Sequence, residues 1–558
     1  MQRTSFSPIL ADMLDFSNAI YDADLRLLAQ AANCPVHLAA MQASALAATA
    51  KFPIDTLQPG DVIALNDPYQ GGTHTNDITF NMPMFHEGIL MGFAVSRGHW
   101  MDLGGGGAGG QGFGTHIASE GLRLPPLMLY KNYKINEEYL AIIMNNTRTP
   151  HYVKGDLQAH IAALQNAEAE IQRLARRYGP DLVKNTMSGL IDYAERLVRK
   201  AIEEIPDGVY EAEDYVDTDG FVMETVKIKV RLTIKGSDIT VDFEGSDGPV
   251  KGAINSPFAN TASAAYYSLQ FFLAPEAPSN WGMFAPIKIV IPEQCWLNAK
   301  WPSPTIACTT LVSSKVISAI WQALAKAIPE RVTGSTFSEA NWFVAATTDR
   351  QGRTNVFSDL PSGGWGGTPY GDGMNVTQDP LGNCMNMPAE SVELFYPIEY
   401  EAYELRPDSA GAGQFRGGLG AVFKCRFLCD GELSMETSRT RAGSPGVNGG
   451  GSSVPQRATH VAADGSTKVI GGIKENGEWT NPLLAGYRFG YDEQFVFETT
   501  GGGGWGNPMA RDPDMVLEDV LDEYISLDAA KRHYGVVIDP ATMKIEREAT
   551  AALCAKAA

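Results

Sequence analysis

The sequence predicts an α+β protein of several lobes, and three observations carry that prediction. At 558 residues the chain is longer than one hydrophobic core organises, so roughly two to four lobes are expected. Its apolar periodicity switches along the chain, from short buried runs to helical spacing and then to strict alternation. Toward the C-terminus, short apolar runs alternate with glycine clusters, the pattern of an all-β, glycine-rich lobe.

The elements follow in order. Residues 1–155 are dense in Gly, Asp, His and short apolar runs, as in strands joined by functional loops, and they form an N-terminal α/β lobe. Within it, ILMGFAVS (Ile89 to Ser96) reads as a buried strand. Residues 156–205 read as a helical hairpin: Leu157, Ile161, Leu164, Ile171 and Leu174 recur at helical spacing, Gly179-Pro180 breaks the pattern, and Leu182, Met187, Leu190, Ala194, Leu197 and Ala201 resume it. Residues 206–400 form a central α+β lobe. VKIKVRLTI (Val226 to Ile234) alternates strictly, turns at Lys235-Gly236 and returns as Ile239 to Phe243, a β-hairpin with one buried face. PIKIVIP (Pro286 to Pro292) adds a strand, and Ser314 to Pro329 an amphipathic helix closed by proline. Residues 401–510 are the glycine-rich β lobe, whose GAGQFRGGLG and GSPGVNGGGSS segments read as tight turns. Residues 511–558 form a tail, helical over 513–534.

Charge narrows the partners. With 44 Lys+Arg against 65 Asp+Glu the net charge is −21, unsuited to nucleic acid or an anionic membrane surface. No apolar run reaches the roughly 18 residues of a bilayer span, and the start MQRTSFSP is not a secretory signal. The seven cysteines (34, 295, 308, 384, 425, 429 and 554) are scattered, and only Cys425 and Cys429 are close in sequence. Reduced, buried thiols in a cytoplasmic protein are expected rather than a cysteine metal site.

Seven of the nine histidines precede residue 161. In NDPYQGGTHTND, His74 and Asp77 sit three apart, just after a glycine pair that permits a tight turn and close approach to a ligand. In SRGHWMDLGGGG, His99 and Asp102 repeat the spacing at a strand end. Imidazole with carboxylate suits Zn²⁺, Mn²⁺ or Fe²⁺ better than Ca²⁺ or Mg²⁺, and open positions would make the site catalytic. Spacing alone leaves open that these are polar loop residues capping turns. Glu120, ahead of GLRLPP, is a general-base candidate or equally a cap or salt-bridge partner. Asn66-Asp67-Pro68 reads as a turn former.

Together these segments resemble the hydantoinase B/oxoprolinase family over nearly the whole chain. RTSFSPILADMLDFSNAIYDADLRLLAQAANCPVHLAAM, NDPYQGGTHTND, HWMDLGG, EGLRLPPLMLY, GDLQAHIAALQNA, KGAINSPFANTASAAYY, QFRGGLGAVF and TTGGGGWGNPMARDP fall in the family's order. The resemblance implies a divalent metal (Zn, Mn or Fe) on His74, Asp77 and His99, with Asp15 of LDFS as a further acidic ligand. It moves Asp102 outward, to orient a ligand histidine. His116, where relatives often carry another polar residue, is open as ligand, general acid/base or substrate contact. The resemblance also implies a hydantoinase A-like partner subunit that binds ATP and Mg²⁺ and phosphorylates the substrate, hence a hetero-oligomer. In keeping with this, the chain has no GxxxxGK[ST] phosphate loop. The expected activity is opening of a cyclic amide (hydantoin, oxoproline or lactam). A ketone carboxylase of the acetone or acetophenone type is the alternative, and a metal-free scaffolding subunit a third.

Overall fold

The computed structural model describes residues 1–31, 33–348, 352 and 354–557, with the backbone alone for Leu38 and residues 554–557, so the Cys554 thiol lies outside the described residues. Seven antiparallel strands build the N-terminal sheet: β1 (Phe16–Tyr21), β2 (Leu27–Gln30), β3 (Val62–Leu65), β4 (Asp77–His86), β5 (Ile89–His99), β6 (Leu127–Lys131) and β7 (Lys134–Ile135). Their order is β2-β1-β5-β4-β3-β6-β7, which puts the long β4–β5 hairpin at the centre. Glu87 and Gly88 both take positive φ at its turn, the handedness that matches strand twist. The register pairs Asp77 with His99 across the hairpin.

Both faces of this sheet are covered, which is why its strands read as near-continuous apolar runs. Ile63, Leu65, Phe93 and Val95 face one core. Val62, Ala64 and Ala94 face the other. Over the first face lies α2 (Pro35–Lys51), which follows the short α1 (Pro8–Ala11). After α3 (Glu137–Asn145), the second face is covered by α4 (Pro150–Tyr178), whose Leu157, Ile161 and Leu164 are buried against it. The expected helical hairpin is thus α4 and α5 (Pro180–Glu203), but α4 begins at Pro150 rather than at 156. Proline at the first helical position costs no hydrogen bond, and Thr149-Pro150 starts the helix.

The central lobe holds β8 (Gly208–Val216), β9 (Val226–Lys235), β10 (Asp238–Asp242) and β11 (Ile287–Val290) in the order β11-β10-β9-β8. Alternation along β9 is strict, with Val226, Ile228, Val230, Leu232 and Ile234 buried. Two helices join this sheet to the first: α6 (Phe258–Gln270) packs on α2, and α7 (Ser313–Leu324) packs on α6 and on β8 and β9. The regular helix ends at Leu324, short of the proline at 329, and turns complete the segment.

The β lobe is a sandwich. One sheet is β13-β12-β16-β20, from β12 (Trp342–Thr348), β13 (Thr354–Asp359), β16 (Gly431–Glu436) and β20 (Leu484–Phe489). The second is β14-β15-β21-β17-β18-β19, from β14 (Ile398–Leu405), β15 (Ala421–Phe427), β17 (Arg457–Val461), β18 (Thr467–Ile473), β19 (Trp479–Thr480) and β21 (Gln494–Glu498). Phe343 meets Phe423 and Phe495 in the aromatic core between the sheets. Pairing of β12 with β16 carries residues 342–359 into this lobe, across the boundary expected at 400.

One turn stands as expected, at Asn448-Gly449, where both residues take positive φ, but most of the glycines in these runs do something else. Among Gly411, Gly413, Gly417, Gly418 and Gly501–Gly504 none takes positive φ, yet a Cβ on Gly418 would lie 1.8 Å from the Met374 carbonyl oxygen and one on Gly502 1.9 Å from that of Trp365. Extended chains stack side by side through bonds such as Gly418 N–H to Trp365 O (2.7 Å) and Gly411 N–H to Gly502 O (2.8 Å). Only residues without a side chain permit that spacing. The tail holds α8 (Pro513–Leu521) and α9 (Leu527–Tyr534), clustered around Val516 and Ala530. Among the described residues no helix is long and apolar enough to cross a membrane.

Candidate metal centre

The loop before β4 is held from three sides. Asn66, fully buried, donates to the Leu122 carbonyl (2.9 Å) and accepts from Leu124 N–H (2.6 Å). Gly71 takes φ +91°, and its carbonyl accepts from Ser44 Oγ on α2 (2.5 Å) and from the buried Arg97 (3.2 Å). Arg97 also donates to Thr79 Oγ1 (2.6 Å), so one cation ties β5, β4 and the glycine turn together. His74 and Asp77 emerge from this turn at the start of β4, and strand pairing brings His99 opposite. Asp15 follows Leu14, which adopts φ +63°, a conformation costly for leucine that persists because the surroundings impose it. The Asp15 carbonyl accepts from His99 N–H (3.0 Å).

The side chains converge. His74 Nε2 lies 3.2 Å from Asp77 Oδ1, and His99 Nδ1 lies 3.4 Å from the same oxygen. Asp15 Oδ2 is 4.0 Å from His99 Nδ1. A third ring joins them: His37 Nε2, from the first turn of α2, stands 3.5 Å from Asp77 Oδ2 and 3.6 Å from Asp15 Oδ1. Thr73 Oγ1 donates to Asp77 Oδ2 (2.6 Å). Burial alone would raise the Asp77 carboxyl, but the His74 and His37 imidazoles outweigh it and hold the group well below the usual carboxylate range.

These residues line a cavity of about 50 Å³, room for an ion and a few water molecules. All three lobes contribute. Trp342 of β12 packs its ring 4.9 Å from that of His99, and Glu436, its cross-strand partner on β16, also lines the cavity, as do Asp379 and Cys384. Burial pushes Glu436 up to about 7, against hydrogen bonds from Thr310 and Gln111, and Asp379 up to about 6.

The donor set fits a divalent cation. His74, Asp77 and His99 each offer a ligand atom within 4.8 Å of the others. Buried Asp77 Oδ1, His74 Nδ1, His37 Nδ1 and His99 Nε2 have no hydrogen-bond partner. Four carboxyl groups line the cavity, Asp15, Asp77, Asp379 and Glu436, and among the described residues no lysine or arginine does. Buried carboxylates without a fixed cation are costly unless an ion compensates them.

Other residues singled out from sequence stand elsewhere. Glu120 is buried outside the cavity, and its carboxyl accepts from Thr305 N–H (2.5 Å) and Ile306 N–H (2.8 Å). Burial pushes it up to about 8 against those amides, and its geometry is that of a clamp on the 305–306 backbone. Asp102 meets no histidine. It accepts from Gly109 N–H (3.1 Å), Arg148 N–H (2.6 Å) and the Arg148 guanidinium (2.7 Å), holding the glycine run to the segment that leads into α4. His116 is exposed, caps the turn after it by accepting from Ala118 N–H (3.1 Å), and packs edge-on against Trp301. Neither lines the cavity, although Gln111 between them does. Asp67, as expected, forms a turn by accepting from Tyr69 N–H (3.0 Å). Conversely, sequence reasoning passed over His37, although Pro35 signals the helix start that aims it inward, and over Glu436 and Asp379, which only tertiary packing brings in.

Comparison with known proteins agrees with this architecture. The hydantoinase B/oxoprolinase family profile matches residues 1–508. The chain is 31% identical to the beta subunit of the caprolactamase of Pseudomonas jessenii, covering 97% of this chain and 93% of that one. It is 30% identical to the B-type subunit of a putative D-/L-hydantoinase of Pseudomonas sp. strain NS671, covering 96% and 92%. A crystal structure of the ATP-dependent caprolactamase from Pseudomonas jessenii superimposes with a TM-score of 0.91 at 29% identity, over 99% of this chain and 95% of that chain. A nucleotide-free acetone carboxylase structure shares the fold, with a TM-score of 0.89 at 19% identity over 100% and 80%. A match over so much of the sequence, at this identity and with the same fold, establishes that the chain belongs to the hydantoinase B/oxoprolinase family.

Proposed function

We propose that this chain is the metal-dependent hydrolytic subunit of an ATP-dependent enzyme that opens a cyclic amide. The observation that carries the reading is the buried His74–Asp77–His99 cluster, flanked by Asp15 and His37 in a cavity without lysine or arginine among the described residues. Two relatives, at 30% and 31% identity, are named as hydantoinase and caprolactamase subunits, names that point to cyclic amides, which favours amide hydrolysis over ketone carboxylation.

A lactam carbonyl is a poor electrophile because nitrogen donates into it, and phosphorylation of its oxygen would remove that protection. The chain carries no GxxxxGK[ST] phosphate loop, which supports placing this step on a hydantoinase A-like, ATP-binding partner. The ion, Zn²⁺, Mn²⁺ or Fe²⁺ by its mixed nitrogen and oxygen donors, supplies Lewis acidity and lowers the pKa of water. His74, Asp77, His99 and Asp15 would hold it. Thr73 keeps the Asp77 carboxylate oriented, His37 bridges Asp15 and Asp77, and Trp342 shields His99 from bulk water. Water would add to the activated carbon, the ring carbon–nitrogen bond would break with the nitrogen taking a proton, and a second water would hydrolyse the acyl phosphate so formed to carboxylate and inorganic phosphate.

The test is reconstitution with a hydantoinase A-like, ATP-binding subunit, followed by ATP-dependent ring opening of caprolactam, hydantoin and 5-oxoproline. Activity on one of them that chelation abolishes and Asp77→Ala lacks is expected. Full activity after complete metal removal, or bicarbonate-dependent ATP consumption with a ketone in place of amide hydrolysis, would overturn the reading.

A further inference from the structure

At the other end of the same cavity, two thiols approach Asp15. Cys34 immediately precedes Pro35 at the N-terminus of α2 and does not cap that helix. Cys384 arrives 350 residues later, on a loop fastened to the N-terminal lobe by Val36 N–H to Leu381 O (3.3 Å), Asn383 Nδ2 to Asn33 O (3.1 Å) and Met385 N–H to Met13 O (3.0 Å). The two Sγ atoms lie 4.0 Å apart, and one ligand atom each from Asp15, Cys34 and Cys384 falls within 4.8 Å of the others. The Cys34 thiol donates to the Gly382 carbonyl (2.8 Å).

The separation discriminates between two chemistries. A disulfide requires about 2.05 Å, half the distance seen. Two sulfurs bound tetrahedrally to one ion, each about 2.3 Å from it, stand about 3.8 Å apart. The thiols are therefore not bonded to each other, and their spacing matches that of two ligands on one ion within about 0.2 Å. The cavity around them has four carboxyl groups and, among the described residues, no lysine or arginine, so thiolates here call for a cation. The N-terminus of α2 adds its own partial positive charge beside Cys34.

We propose that Asp15, Cys34 and Cys384 form a second cation subsite for a thiophilic divalent ion such as Zn²⁺, sharing Asp15 with the His74–Asp77–His99 centre. Asp15 faces both groups, and His37 connects it to Asp77. An ion here clips the 379–385 loop to the start of α2 and so fixes one wall of the cavity. The inference rests on the cavity's being a cation site, not on the reaction assigned to it.

The test uses the full chain, stripped of metal under reducing conditions and loaded with Co²⁺, reading ions per chain and the near-ultraviolet thiolate-to-cobalt charge-transfer band. Two ions per chain and the band are expected. Cys34→Ser and Cys384→Ser should each abolish the band and leave one ion, whereas Asp77→Asn should lose the other ion and keep the band. One ion and no band in the unsubstituted chain would overturn this proposal and leave the histidine centre standing. No Co²⁺ at all would overturn both. A Cys34–Cys384 disulfide by mass, with no band after reduction, would overturn it in favour of a redox pair. The first reading is made on the unsubstituted protein, so poor folding of a variant does not shield the proposal.

Discussion

Replacing Gly71 by alanine should unfold the turn that presents His74 and Asp77. Two terms can be separated. The first is conformational: φ +91° disfavours any residue with a Cβ by about 1–2 kcal/mol. The second is steric: the new Cβ would stand 2.4 Å from the Ala43 carbonyl oxygen and 2.6 Å from its carbon, both backbone atoms inside α2 that no rotamer change can move. Overpacking of this kind costs about 1–3 kcal/mol more. Relief by shifting the turn would break the Gly71 carbonyl's bonds to Ser44 and Arg97. Gly88 is the matched control, because it takes φ +82° with nothing within 4 Å, so Gly88→Ala incurs the first term alone. Urea denaturation of both variants should therefore place Gly71→Ala about 1–3 kcal/mol below Gly88→Ala, with reduced metal content in Gly71→Ala only. Equal destabilisation of the two variants would refute the argument that close approach to α2 is why glycine stands at 71.

Thr73→Val keeps the shape of the side chain and removes the hydroxyl that orients Asp77. Metal affinity by chelator competition should fall about 10–100-fold, and an unchanged affinity would deny Thr73 a positioning role. His160 is buried, and desolvation, with the N-terminal amino group adding to it, pushes its imidazole down to about 3 from 6.5. Its folded form is thus neutral, so the stability it contributes is complete above about pH 6.5 and is lost as pH falls toward 3, with a slope approaching 1.4 kcal/mol per pH unit (about one proton). Denaturation midpoints measured across that window should show a shallower loss for His160→Gln. Arg439 grips Asp214 through two bonds of 2.7 and 2.6 Å, both residues buried. Arg439→Met should cost about 3–5 kcal/mol by leaving Asp214 unpaired, and Asp214→Leu combined with it should recover much of that loss in the same denaturation assay.

The strands around the centre were legible for a local reason. Strands β5 and β9 carry their burial pattern in consecutive residues, and His74 and Asp77 share one turn, so spacing made them a candidate pair. Asp102 shows the limit of such local logic. It repeats the His-x-x-Asp spacing of His74 and Asp77, yet tertiary packing spends the carboxylate on Arg148 and the glycine run. Glu120 likewise offered a carboxylate near the right segment, and packing delivered it to the Thr305 and Ile306 amides. The glycine clusters are ambiguous in sequence because a turn and a close backbone contact demand the same missing side chain.

By itself, then, the sequence determined the α+β class, the helical pair, the β-rich C-terminal half, the histidine-aspartate motif and, through ordered motifs, the family. These depend on periodicity and on residues near one another along the chain. Asp15 was implied by the family resemblance, but only the tertiary structure decided that His37 stands between Asp15 and Asp77, that Trp342, Asp379 and Glu436 help wall the site, and that Cys34 meets Cys384. Those contacts join residues as many as 350 positions apart, and no local pattern encodes them.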